Sequence, residues 1–156
     1  MHVVSLYAAL LALLFVALSI RTLRMRRRLR IAIGDAGNEA MLRAARVHSN
    51  FAEYVPLSLL LIYFVEASGA SSLFVHALGA SVVVGRLSHA FGVSQVQEKF
   101  AFRVTGMALT LTPLRVAALR LLQVFASTGV AQPFYKDFPF CQAELNFLIA
   151  VWLSNS

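Results

Sequence analysis

Charge is what this chain has least of. Only 13% of its 156 residues are charged, against about a quarter in soluble globular proteins, while 59% are hydrophobic and the mean hydropathy is +0.73. Such a composition excludes a sizeable soluble domain and points to an integral membrane protein. Acids are the scarcer sign, seven Asp and Glu against fourteen Lys and Arg. Cysteine is scarcer still: the single Cys141 excludes an internal disulfide and leaves a free thiol or an intermolecular pair. Internal repeats and low-complexity segments are absent. No metal-ligand spacing is present either, because His48 points about 160° away from Arg46 around its helix and His76 lies in a different span.

What is there is enough apolar sequence for about four spans at ~20 residues each. The first runs from Val3 to Ile20 and is closed by Arg21, Arg24, Arg26, Arg27, Arg28 and Arg30. A cleaved signal peptide carries its charge before the apolar core and a small-residue cleavage site after it. Here the order is reversed, so the segment is expected to stay as a signal anchor. Arginine placement then predicts a cytoplasmic first loop and an outside N-terminus. The net charge of +7 and pI near 10.5 do not call for a nucleic-acid partner, since the charge sits beside a span, where anionic head groups account for it.

Gly34-Asp35-Ala36-Gly37-Asn38 has turn chemistry, with Asn38 or Asp35 as a cap for a long second helix from about Glu39 to about Ala67. Span three is expected from Ser71 to about Phe91, with Ala77, Ser81 and Gly85 as a small-residue ridge for close helix approach. A polar loop, 92–101, holds Glu98 and Lys99, and span four follows from about Phe102 to about Phe125. The expected fold class is all-α, an integral membrane four-helix bundle over residues 1–126. The tail, 127–156, has an apolar run from Phe147 to Leu153 that is too short to cross a bilayer, which suits an outer-face interfacial segment.

One feature does not fit a lipid-facing helix. Arg43, Arg46, Asn50 and Glu53 fall within an arc of roughly 80°, with Tyr54 close beside it, just before an apolar run from Val55 to Val65. Ionised groups at bilayer depth cost at least ~2.5–3.5 kcal/mol each, so they normally face a bundle interior or a wet cavity. Arg86 and His89 near the inner end of span three, and Arg103 at the start of span four, lie at similar depth. Together these groups suit a small zwitterionic, carboxylate-bearing ligand: arginines fork onto carboxylates, Glu53 holds an amine, and Asn50 bonds a peptide group. Two structural alternatives stay open, Arg86 snorkelling to the head groups and Arg46 with Glu53 as an ion pair between helices.

The string Arg43-Ala-Ala-Arg46-Val-His-Ser-Asn50-Phe-Ala-Glu53-Tyr54-Val-Pro56-Leu57 resembles the helix-two signature of the MAPEG family, membrane-associated proteins in eicosanoid and glutathione metabolism. Gly85-Arg86-Leu-Ser-His89-Ala-Phe-Gly92 and Phe102-Arg103-Val-Thr-Gly106 are similar to the third and fourth helix segments of its bacterial members. The resemblance covers roughly residues 3 to 125. It implies a homotrimer in a bacterial inner membrane, with glutathione bound between subunits near the cytoplasmic side. Arg46, Asn50, Glu53 and Tyr54 would contact glutathione, and Arg103 would stabilise its thiolate. Leukotriene-forming members have tyrosines near the inner end of helix three, where this chain has His89 and Val93.

The chemistry so implied is a glutathione transferase, with peroxidase activity as a variant, acting on a lipophilic small molecule dissolved in the bilayer. Two other classes stand beside it. A small four-helix proton-coupled exporter of lipophilic cations would use Glu53, but small multidrug exporters, the family of this size, carry their essential carboxylate in the first span, which here is free of acids, and the arginines would repel the cargo. A non-catalytic binding protein is the third.

Overall fold

The computed structural model describes residues 2–95 and 100–127. The expectations for Glu98, Lys99, Cys141 and the tail beyond Ser127 lie outside the described residues. Among the described residues, all regular structure is helical: α1 Val3–Leu29, α2 Glu39–Ala67, α3 Ser72–Ser94 and α4 Phe100–Ser127. Each helix is long and apolar enough to cross a membrane, so the chain is an all-α integral membrane protein. The unit Met1–Leu119 contains α1, α2, α3 and most of α4, and of Arg120–Ser156 the structure describes the last turns of α4.

The first helix does not end with its apolar run. It continues through the arginines to Leu29, and Arg30 closes it in the left-handed conformation at φ 56°. Arginine is a good helix former, no glycine or proline intervenes before Gly34, and cations at a helix C-terminus complement its dipole. The true connection is therefore 31–38. Arg26 Nη1 donates to the carbonyls of Ala32 (3.3 Å) and Gly34 (3.1 Å), and Asp35 Oδ1 accepts from Gly37 N (3.0 Å). Asn38 is the cap of α2, its Oδ1 accepting from Met41 N at 3.0 Å, so that helix starts where the sequence placed it.

Helices α1, α2 and α3 share a core that includes Leu11, Met41, Val47, Ile62, Val75 and Val82, all nearly inaccessible. Polar pairs tie the same helices. Ser19 Oγ lies 3.0 Å from His48 Nε2, with Phe15 stacked on the imidazole, and the Tyr7 hydroxyl and His76 Nδ1 share a 2.8 Å hydrogen bond. At the opposite end of α2 from Arg46, the Glu66 carboxylate accepts from Val3 N and from Val4 N (3.0 Å), capping α1 across the bundle.

The α3–α4 contact depends on small residues. A Cβ on Gly106 would stand 2.5 Å from His89 N, and one on Gly92 would stand 2.9 Å from Arg103 N. Of the expected ridge, Ser81 and Gly85 meet α4, whereas Ala77 is exposed and the close approaches fall instead on Gly92 and Gly106. Pro113 has no N–H to give the Leu109 carbonyl, one turn back in α4. Ser81 Oγ donates to that carbonyl at 2.9 Å, replacing the missing bond from a neighbouring helix, as the bilayer interior requires.

A polar cavity between the ends of three helices

The core face of α2 carries Met41, Ala44, Val47, Phe51 and Val55. Its other face carries the polar stripe, and that face borders a cavity of about 510 Å³, within the usual size range of small-molecule sites. Glu39, Leu42, Arg43, Arg46, Ser49, Asn50 and Glu53 line it from α2, His89 and Val93 from α3, and Arg103 from α4. Arg103 reaches it because Gly92 lets the first turn of α4 close on the last turns of α3.

Six of the eight residues singled out from sequence thus share one cavity: Arg43, Arg46, Asn50, Glu53, His89 and Arg103. Arg86 and Tyr54 do not line it. Arg86 is 1% exposed and its side chain runs behind the cavity wall, which removes the snorkelling alternative. Its Nη1 donates to Asn50 Oδ1 at 3.0 Å and to the Asn50 carbonyl at 3.4 Å. Its guanidinium lies 5.9 Å over the Tyr54 ring, and Nε is without a hydrogen-bond partner.

This arrangement fixes the chemistry of Asn50. A guanidinium only donates, so the amide oxygen accepts from Arg86 and the NH₂ is the part of Asn50 left to donate. Arg46, Glu53 and Arg103 are exposed on the single chain. Arg46 and Glu53 form no ion pair with each other among the described residues of the single chain. Three arginines against two glutamates leave the lining cationic.

Glu39, Leu42 and Ser49 were passed over in the sequence, although the spacing 39, 42, 46, 49, 53 puts them on the same stripe. Leu42 and Ser49 carry no charge to mark them as site residues, and Glu39 has the place of a first-turn acid in α2. His48, half-buried, and His76, exposed, are both hydrogen-bonded between helices and do not line the cavity.

Fold and site together define a four-span membrane protein with a cationic cavity at one end of its helices. The sequence profile of the MAPEG family matches residues 4–123, and the chain belongs to that family. It is similar to the inner membrane protein YecN of Escherichia coli strain K12, at 37% identity over 115 residues that cover 74% of this chain and 86% of YecN. The YecN of Escherichia coli O6:H1 matches to the same extent.

Proposed function

We propose that this protein is a glutathione transferase of the inner membrane, with hydroperoxide reduction as a related activity, and that it works as a homotrimer. The carrying observation is the convergence of Arg43, Arg46, Asn50, Glu53, His89 and Arg103 on one cavity in a family generally associated with glutathione. The donor set suits that tripeptide. Arg43 and Arg46 match carboxylates, Glu53 matches an ammonium, and the Asn50 NH₂ matches a peptide carbonyl.

Glutathione supplies the nucleophilic sulfur when bound. Arg103 is the cation we assign to that sulfur, because a fixed positive charge favours thiolate over thiol. The α2 groups hold and orient the peptide, and an apolar electrophile reaches the same place from the bilayer, which lowers the entropic barrier of the bimolecular step. We place the 31–38 connection in the cytoplasm, so that the cavity opens to that side.

Trimer formation is supported by exposure. Arg46, Glu53 and Arg103 are uncovered on the single chain, and Glu53 lies ~20 Å along α2 from its start at ~1.5 Å per residue, well into the span. Uncovered charge there is costly in lipid, and a neighbouring subunit would remove the cost. Titration calorimetry with glutathione on the purified protein in detergent tests the reading, followed by conjugation of a generic aryl halide. Binding with turnover supports a transferase. Binding without turnover leaves a binding protein, and no binding removes the reading.

A further inference from the structure

We propose that the end of α1 carries a discrete site for one anionic glycerophospholipid, built by Arg21, Arg24 and Arg28. On a helix these positions fall within an arc of ~60°, whereas Arg26 and Arg30 lie on the opposite side and Arg27 to one flank. The three arginines border a hollow of about 510 Å³ together with Ala17, Ile20 and Met25. Arg26, Arg27 and Arg30 do not line it. Arg26 is spent on the carbonyls of Ala32 and Gly34, and Arg21 is steered by a hydrogen bond from Nη1 to Ser94 Oγ on α3. Arg24 and Arg28 have no hydrogen bond or ion pair among the described residues, and both are exposed.

Depth selects the occupant. At 1.5 Å per residue the 27 residues of α1 span ~40 Å, about 10 Å more than the hydrocarbon core. Ala17 and Ile20 therefore lie at acyl-chain depth, and Arg24 and Arg28 at and beyond the plane of the phosphates. Apolar groups below and forked cations above match a diacyl phosphodiester, with the phosphate held between guanidinium groups and a chain laid along Ala17 and Ile20. A general attraction of six arginines for an anionic surface would treat all of them alike. A site on one face of the helix does not.

Native mass spectrometry of the intact protein in detergent, titrated with phosphatidylglycerol or with phosphatidylcholine of the same chains, reads this directly. The expected result is retention of one phosphatidylglycerol per chain, about tenfold in preference to phosphatidylcholine. The double variant Arg24→Gln/Arg28→Gln loses that preference, while Arg27→Gln/Arg30→Gln, with the same change in net charge, keeps it. Equal losses in the two variants would reduce the effect to bulk charge and overturn the site. Displacement of the lipid by millimolar inorganic phosphate would make it a free-anion site and not a lipid site. A changed subunit number in Arg24→Gln/Arg28→Gln alone would make this face a contact between chains, which also overturns it.

Discussion

Arg46 and Arg86 carry the same side chain on neighbouring helices and serve different ends. Arg46 stands exposed in the cavity lining, whereas Arg86 is buried behind it on Asn50 and Tyr54. Replacing Arg46 with Ala, or Glu53 with Gln, should therefore weaken glutathione binding by about ten- to hundredfold, one charge-assisted contact of ~1.5–3 kcal/mol. The subunit number in detergent should stay that of the parent, since these groups line the cavity and leave the core face of α2 untouched. Arg86→Met should behave otherwise. A buried cation with an unsatisfied Nε is costly, and an apolar side chain of similar length removes that cost. The variant should melt at the parent's temperature or above, yet bind glutathione more weakly, because Asn50 loses the partner that aims its NH₂. Thermal melts beside calorimetry check the pair of effects, and a lower melting point with unchanged affinity would make Arg86 a packing residue only.

At the scale of elements, Pro113 and Ser81 form one unit across two helices. Ser81→Ala should leave the Leu109 carbonyl without a donor and cost about 0.6 kcal/mol, the average for interhelical hydrogen bonds in membranes, and no more than ~1.7 kcal/mol. Adding Pro113→Ala restores an N–H in α4 and should recover most of the loss, so a double-mutant cycle on unfolding in mixed detergent reads the coupling. Additive losses would show that the bond carries no stability. Helix α2 was legible from sequence to its ends, because Asn38 and Ser68-Gly69 are cap and turn chemistry. The end of α1 was not, since hydropathy marks where the hydrocarbon stops while the arginines go on forming helix. The stripe on α2 was legible from its period. The place of Arg86 was not, because it depends on how α4 closes on α3 through Gly92 and Gly106, and close approach has no period in the sequence.

The whole molecule has to satisfy the bilayer and a polar ligand together. Four helices return the chain to its starting side, so the first turns of α1 and the end of α4 should both face outward and the 31–38 connection should face the cytoplasm. A cysteine placed at Ala36 in a Cys141→Ser background should resist an impermeant maleimide in intact cells and react after permeabilisation. Labelling in intact cells would reverse the topology and put the cavity on the wrong side for cytoplasmic glutathione. The proposed chemistry rests on Arg103, which joins the α2 stripe in the cavity from a third helix. Its most direct measurement is the ultraviolet difference absorbance of bound glutathione thiolate at neutral pH, compared in the parent, Arg103→Ala and Arg103→Lys. The parent should show the thiolate band on binding, the alanine variant should bind glutathione with the band lost, and lysine should restore part of it, since a point charge survives where the planar fork does not. An alanine variant that binds glutathione and keeps the full band would contradict the role assigned to Arg103.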